Sequence, residues 1–297
     1  MPGRTGCGIV RGMERRWCTI PIASAVLMLV GLPLHADQPT PAAVAGFDSC
    51  VAAVNTRMVR QHGSADPYVG LDTASRARLR RGKILVERVM PPGGGNLPGA
   101  LLHHWRASAF VSGASAEDFE RLLRDYAQYP AVFSPQVVQA HVLADRGNDV
   151  QVAMRLRQHH VLTVVLDTDY DVLFSRLDAR HAASFSRSTH IAEIASPGSG
   201  AERPLSPAED HGFLWRLDTW WSAEEADGGV YLQVESVSLT RSIPAGLGWL
   251  IGPYIESVPR ESLEFTLRAV CQSLRPTQAD SLRKENAHGH ANNHSQE

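Results

Sequence analysis

The amino-acid sequence predicts an α+β domain in which an antiparallel sheet wraps around a C-terminal amphipathic helix. Three observations predict this class. Residues 137–194 contain successive stretches in which apolar and polar residues alternate, as in antiparallel strands with one covered face. Residues 259–274 carry a single apolar stripe at helical spacing. Another amphipathic helix precedes the strands, beginning at Ser115.

The N-terminus has the pattern of a secretory signal. An uncharged apolar run occupies residues 20–34 shortly after Arg15 and Arg16, and Ala36 is a small residue at the expected cleavage site. The pattern predicts a signal peptide over residues 1–36 and an exported protein, periplasmic or secreted. The run is shorter than the roughly 20 residues of a transmembrane helix, so we expect no membrane span after cleavage. An uncleaved signal anchor is the alternative.

Composition bounds the domain count and the partners. The 29 basic and 31 acidic residues nearly cancel, so the chain lacks the clustered positive charge that nucleic-acid binding needs. Removing residues 1–36 leaves 261 residues, enough for one well-buried core, with two small domains as the alternative. Cys50 and Cys271 follow the cleavage site. In an oxidising compartment a disulfide between them is one expectation, and two separately buried thiols are the alternative.

Residues 37–82 are predicted to form an N-terminal helical extension. Its helix covers residues 47–60, and the polar, Arg-rich residues 64–80 are expected to form a solvated surface. Two strands follow, separated by a Pro- and Gly-rich turn. They cover residues 83–90 and 101–112, with the turn at 91–99.

The helix at Ser115 has a clear start signal. Ser115 is a good N-cap, and Asp118 stands three positions later as in a capping box. The apolar residues of this helix share one face, and Pro130 is expected to end it. They are Phe119, Leu122, Leu123 and Tyr126.

The second half of the chain contains the remaining strands and the final helix. A hairpin turn is predicted at residues 146–148, a loop at 196–210, and a strand pair at 213–222 and 230–241. The final helix is expected to begin with Pro259 at its first position. Its apolar stripe comprises Leu263, Leu267, Val270, Cys271 and Leu274. Residues 277–297 are polar and predicted to be disordered.

The end of the first amphipathic helix carries a resemblance to a known family. The run Asp125-Tyr126-Ala127-Gln128-Tyr129-Pro130, followed by Phe133 and Pro135, resembles the segment that ends the first helix in START-like (SRPBCC, helix-grip) proteins. That group includes polyketide cyclases, ubiquinone-binding chaperones and lipid transfer proteins. The turn Ser242-Ile243-Pro244 before the final helix is similar as well. The resemblance covers a predicted START-like domain at residues 83–276.

This resemblance implies a ligand-binding cavity between the sheet and the C-terminal helix. The implied ligand is a lipid-like or other hydrophobic small molecule, and no cofactor is expected. Bulky side chains at inward positions of the strands and on the last helix are the candidate lining residues. They are Met154, Tyr170, Phe174, Trp215, Trp221, Val234, Trp249, Tyr254, Leu263, Leu267 and Val270.

Two other functions are compatible with the same fold. A cyclase or aromatase would use the cavity for catalysis, and a non-ligand interaction module would have a filled core. A carrier is the leading interpretation; no nucleophile motif is present in the sequence, and the enzyme alternative stays open.

Motifs for metals and dinucleotides are incomplete. Asp167, Asp169 and Asp171 have the spacing of a calcium loop, but Val172 stands where the loop requires glycine. The glycines at 246–252 are one residue too far apart for a dinucleotide fingerprint. His103 and His104 are adjacent on a predicted strand, so their side chains should lie on opposite faces. We therefore expect no metal site.

Overall fold

A computed structural model describes residues 38–64, 68–159, 163–242 and 248–275. The helices are α1 (Pro41–His62), α2 (Thr73–Arg80), α3 (Ala116–Arg124), α4 (Tyr129–Val132) and α5 (Gly248–Ser273). The strands are β1 (Leu85–Arg88), β2 (Asn96–Leu97), β3 (Ala100–Ser112), β4 (Val137–Asp145), β5 (Asp149–His159), β6 (Thr163–Asp178), β7 (His181–Ala195), β8 (Arg203–Pro204), β9 (Arg216–Ala226) and β10 (Gly229–Arg241).

The strands form one large antiparallel sheet. Its order is β1-β3-β10-β9-β7-β6-β5-β4, with β2 added to β3 and β8 to β7. Helix α5 packs on one face, called here the inner face, and α1 packs on the opposite, outer face. The predicted α+β class is confirmed, because a curved antiparallel sheet is covered by a C-terminal helix in a helix-grip arrangement with an added N-terminal helix.

Helix α1 begins six residues earlier than the sequence pattern predicts. Thr40 caps it by accepting a hydrogen bond from the Ala43 amide at 3.1 Å, and Pro41 occupies the first turn. The apolar side chains of α1 pack on Leu102, Trp220, Val237 and Leu239 of the outer face. They are Phe47, Cys50, Val51, Val54 and Met58.

The Arg-rich residues after α1 do more than form a solvated surface, and that prediction is wrong in part. Helix α2, capped by Asp72, places Leu79 in a buried cluster with Tyr68 and Tyr231. Arg76 donates a hydrogen bond to Glu224 of β9 at 2.8 Å. The burial of Leu79 and the ion pair between Arg76 and Glu224 hold α2 against the outer face.

Helix α3 has the predicted capping box. The Ser115 hydroxyl accepts from the Asp118 amide at 3.0 Å, and the Asp118 carboxylate accepts from the Ser115 amide at 3.0 Å. The helix ends at Arg124, earlier than expected, and a single 3₁₀ turn at Tyr126–Gln128 connects it to α4. Phe119, Leu123 and Tyr126 are buried, whereas Leu122 is only partly buried.

Helix α5 is longer than predicted. It begins at Gly248, so Pro259 lies inside the helix rather than at its first position. A proline there lacks the amide that would bond the preceding turn, which is why the sequence pattern favours a helix start at this point. Leu263, Leu267 and Val270 are buried in the core, as the apolar stripe predicts.

The predicted disulfide between Cys50 and Cys271 is not formed. Both side chains are free, buried thiols. Cys50 packs between α1 and the outer face, whereas Cys271 packs between α5 and the inner face. The sheet separates the two thiols, so the alternative of two separately buried cysteines is correct for this structure.

Two predicted segments lie outside the described residues. They are the signal peptide at 1–36 and the C-terminal tail at 277–297. Within the residues that are described, no helix is both long and apolar enough to cross a bilayer.

Candidate functional site

One end of the inner face is closed by helices. Phe119 of α3 lies 5.6 Å from Trp221 of β9, measured between ring centroids. Leu267 and Val270 of α5 are fully buried in the same cluster. Close packing of this kind is the rule for protein interiors and stabilises the position of α5 on the sheet.

Most of the predicted lining residues meet in this cluster. Those that are buried there are Tyr170, Phe174, Trp221, Val234, Leu263, Leu267 and Val270, and Met154 packs against them while partly exposed. The sequence pattern therefore places these side chains correctly on the inner face. Their role in binding stays a prediction.

Three predicted lining residues stand apart from this cluster. Trp215 packs with the α1 cluster on the other side of the sheet, so its assignment to the inner face is wrong. Strand β9 begins at Arg216, and the two-residue alternation that would turn Trp215 inward does not extend to it. Trp249 and Tyr254 lie on α5, where the side chains of residues 248–256 are outside the described part.

Polarity changes row by row along the inner face. Neighbouring strands align their inner residues in rows across β3, β10, β9 and β7. Two of these rows are mainly apolar, Ala109-Leu232-Ala223-Ala182 and Ala107-Val234-Trp221-Ser184. The following row is Trp105-Ser236-Thr219-Ser186, called here the polar row. Along the strands, the inner face thus changes from apolar to polar.

The polar row is more accessible than its neighbours. Leu232 and Val234 of the apolar rows are fully buried. All four members of the polar row are only partly buried, as is Leu217 beside it. The inner face therefore changes from closed and apolar to partly open and polar within two residues along each strand.

The indole of Trp105 has an unusual environment. Its Nε1–H is buried and has no hydrogen-bond partner. Buried polar groups in native proteins are nearly always paired, so an unpaired donor calls for an explanation. Trp105 also packs against the apolar cluster, which orients the ring on the inner face.

Two titratable groups beside the polar row are uncharged at neutral pH. His103 lies 3.1 Å from the Thr240 hydroxyl, and burial together with the charge of Arg88 lowers the pKa of His103 to about 4. Burial raises the pKa of Tyr170 to about 12. The Thr168 hydroxyl donates to the Met154 carbonyl at 3.0 Å. This half of the inner face is polar without being charged.

The polar row is not predicted by the sequence pattern. One available signal was the alternation of Ser184, Ser186 and Ser188 on β7, which puts three small hydroxyl residues on one face. The alignment with Trp105 and Thr219 depends on strand register between distant parts of the chain. No local pattern contains that information.

The outer face carries a charged cluster instead. Glu235 is fully buried, and its carboxylate accepts hydrogen bonds from Arg57 at 2.5 Å and Arg106 at 2.7 Å. His104 Nε2 lies 2.6 Å from the same carboxylate, and Cys50 Sγ lies 3.7 Å from His104 Nδ1. His103 and His104 thus lie on opposite faces, as predicted.

Burial of Cys50 disfavours nucleophilic chemistry at this cluster. Burial and the nearby Glu235 carboxylate raise the pKa of Cys50 to about 11, which keeps it a neutral thiol. Cys50, on α1, and His104, on β3, are both buried where α1 packs on the outer face. Among the residues that the structure describes, no group of three or more His, Cys, Asp or Glu side chains is placed to hold a metal.

Comparison with known proteins gives similarity at the level of structure. No protein-family model and no curated protein matches the sequence. The fold is similar to a STAR-related lipid transfer protein from Xanthomonas axonopodis, at a TM-score of 0.42 and 16% identity, over 64% of this chain and 99% of that one. It is also similar to a START superfamily protein from Mycobacterium smegmatis, at a TM-score of 0.36 and 15% identity, over 59% and 96%.

An enzyme is among the similar structures. The Zhui aromatase/cyclase from Streptomyces sp. R1128 matches at a TM-score of 0.35 and 17% identity, over 58% of this chain and 93% of that one. START and aromatase/cyclase proteins are thus among the matching structures. The similarity concerns the fold alone, and no residue role is transferred from it.

Proposed function

We propose that the protein binds a hydrophobic small molecule or lipid between the inner face and α5. The observation that carries this proposal is the abrupt change at the polar row. A closed, apolar interior borders a partly open region whose polar groups have no partners among the described residues. Such a combination of apolar surface with a few polar groups is typical of small-molecule sites.

Apolar burial would supply most of the affinity. Partly buried apolar side chains remain on the inner face and on α5, where a ligand can cover them. They are Trp105, Met154, Leu217 and Phe265. Covering apolar surface contributes about 25 cal/mol per Å², so 200 Å² would contribute about 5 kcal/mol before the costs of association.

Binding is better supported than catalysis on this face. A cyclase reaction would need a general acid or base whose pKa lies near the working pH. The pKa values of His103 and Tyr170, at about 4 and about 12, lie far from neutrality in opposite directions. Both groups suit hydrogen bonding in their neutral forms.

Export is part of the proposal. It is supported by the charged, apolar and small-residue pattern of residues 15–36. N-terminal sequencing of material recovered from outside the cytoplasm should give a start within two residues of Asp37. Recovery of a chain that still contains residues 20–30 would contradict cleavage.

A binding assay tests the main proposal. N-phenyl-1-naphthylamine is a neutral fluorophore that brightens in apolar surroundings, and we expect it to bind the wild-type protein. Thr219→Trp should fill the partly open region of the inner face and reduce binding at least tenfold. Ser175→Trp is the matched control, because Ser175 is an exposed strand residue on β6 and its substitution leaves the inner face unchanged.

The two variants separate a lost site from a lost fold. Circular dichroism should show the wild-type spectrum and a similar Tm for both. Saturable binding that is lost in Thr219→Trp and kept in Ser175→Trp supports the proposal. If the wild-type protein does not bind the fluorophore, or if Thr219→Trp binds it as tightly as the wild type, the site is not on the inner face.

A further inference from the structure

The polar row combines four polar groups that lack partners in the described part of the chain. The Trp105 Nε1–H is buried without an acceptor. Ser186, Thr219 and Ser236 are partly buried residues, and their hydroxyls make no hydrogen bond within the described residues. With strands about 4.8 Å apart, four neighbouring strands place these groups along about 14 Å of the inner face.

An indole N–H can only donate, whereas a hydroxyl can donate and accept. The group that satisfies Trp105 must therefore be an acceptor, and an oxygen atom beside it can also accept from a serine or threonine hydroxyl. A buried donor without an acceptor destabilises the protein. A ligand oxygen that accepts from Trp105 removes this cost, so it should bind more tightly than an oxygen that accepts from a solvent-exposed donor. The polar row therefore favours a ligand that presents an oxygen atom to Trp105 and a neighbouring hydroxyl.

The surroundings of the row disfavour a charged oxygen. The members of the row carry no charge, and the lowered pKa of His103 keeps that side chain neutral above about pH 4. Arg88 continues the row at the edge of the sheet, but it already has an interaction partner. A carboxylate or phosphate would lose its hydration here without gaining an opposite charge.

We propose that the polar row binds the uncharged oxygen of an amphipathic ligand, namely a ketone, ester or alcohol. The hydrocarbon part of the ligand lies against the partly buried apolar side chains beside the row, including Leu217 and Phe265. This specificity rests on the proposed binding function and adds a ligand class to it. Trp105 is the residue that determines the specificity.

Competition among ligands of equal chain length tests this class. 2-Decanone, 1-decanol and decanoate are each used to displace N-phenyl-1-naphthylamine at pH 7, all below their solubility limits. We expect 2-decanone and 1-decanol to compete at least tenfold more effectively than decanoate. Trp105→Phe keeps an aromatic ring and removes the N–H. It should lower the affinity for 2-decanone about three- to tenfold, which is the effect expected from the loss of one hydrogen bond.

A spectroscopic signature separates a direct contact from a packing effect. In ¹⁵N-labelled protein, 2-decanone should shift one indole N–H resonance, and that resonance should be missing in Trp105→Phe. The affinity of the fluorophore for Trp105→Phe is measured directly, and the competition by 2-decanone is corrected for it. Ser236→Ala should also lower the affinity for 2-decanone, whereas Ser175→Ala should leave that affinity unchanged.

The outcomes distinguish this inference from the function on which it rests. If the fluorophore binds but decanoate competes best, or if Trp105→Phe binds 2-decanone like the wild type, the oxygen-specific role of the row is overturned and hydrophobic binding stands. If the fluorophore does not bind the wild type, both proposals fall together.

Discussion

Arg57 of α1 donates a hydrogen bond to Glu235 of β10 at 2.5 Å and thereby links the N-terminal extension to the centre of the sheet. Glu235 has no exposed surface, while about a third of the Arg57 side chain is exposed. Burial alone would raise the pKa of Glu235. Hydrogen bonds from His104 and Arg106, with the charges of Arg106 and Arg57, lower it to about 2. Glu235 is therefore ionised in the native protein.

Loss of this carboxylate should destabilise the protein strongly. Glu235→Ala leaves Arg106 and His104 without their buried partner, and breaking a buried ion pair costs about 3–5 kcal/mol. Arg57→Ala should cost less, about 1.5–3 kcal/mol, because Arg106 still pairs with the carboxylate. Urea unfolding followed by circular dichroism measures both values.

Arg60→Ala is the control for the Arg57 variant. Arg60 is exposed on the same helix, so its loss should change stability by less than about 0.5 kcal/mol. Equal effects of the Arg57 and Arg60 substitutions would mean that the bond to Glu235 does not stabilise the extension.

Adjacent leucines of α3 should differ in their contribution to the core. Leu123 is buried in the cluster between α3, α5 and the inner face, whereas Leu122 is partly exposed at its margin. Leu123→Ala should cost about 2–5 kcal/mol as a core truncation. Leu122→Ala should cost clearly less. Denaturation midpoints of the two variants check the order, and a larger loss for Leu122 would place the opposite face of α3 on the core.

Local signals in the sequence were sufficient for much of the fold. The capping box at Ser115 and Asp118 depends on residues three positions apart, and the structure contains both of its hydrogen bonds. Alternation likewise identified Tyr170, Phe174 and Trp221 as inner-face residues. Each of these features depends on a short stretch of chain, in which the spacing of the apolar residues determines the buried face of the helix or strand.

Long-range contacts account for what the sequence did not predict. The burial of α2 depends on the Arg76–Glu224 pair, whose members are 148 positions apart. The polar row depends on the register of four strands, and the separation of Cys50 from Cys271 depends on which face each helix covers. A local pattern does not determine any of these relationships.

Cys50 and Cys271 should both react as free thiols once the protein is unfolded. Burial raises the pKa of each thiol to about 11, so both should react slowly with thiol reagents in the native state. In a chain that begins at residue 37, a thiol reagent in guanidinium chloride without reductant should modify two cysteines. Modification that requires prior reduction would show that the two are joined, and hence that the sheet does not separate them.

His62 should make the extension sensitive to mild acid. Its Nε2 lies 2.7 Å from the Ser222 hydroxyl, and its ring stacks on Tyr68 with centroids 4.4 Å apart. Burial and the charge of Arg57 lower the pKa of His62 from 6.5 to about 4. Between pH 6.5 and 4 the unfolded chain binds the proton more readily than the native one, so stability from this group falls as the pH falls through that window.

The stability difference between a variant and the wild type isolates the contribution of His62. Asp218 acts in the opposite direction, because burial raises its pKa to about 6 and its native form favours the proton between pH 3.8 and 6. His62→Gln keeps a hydrogen-bonding group near Ser222 but cannot titrate, so its Tm should fall less than that of the wild type from pH 6.5 to 4.5. His190→Gln, at an exposed position on β7, should follow the wild-type profile. Parallel profiles for His62→Gln and the wild type would show that His62 takes up its proton equally in the native and unfolded states.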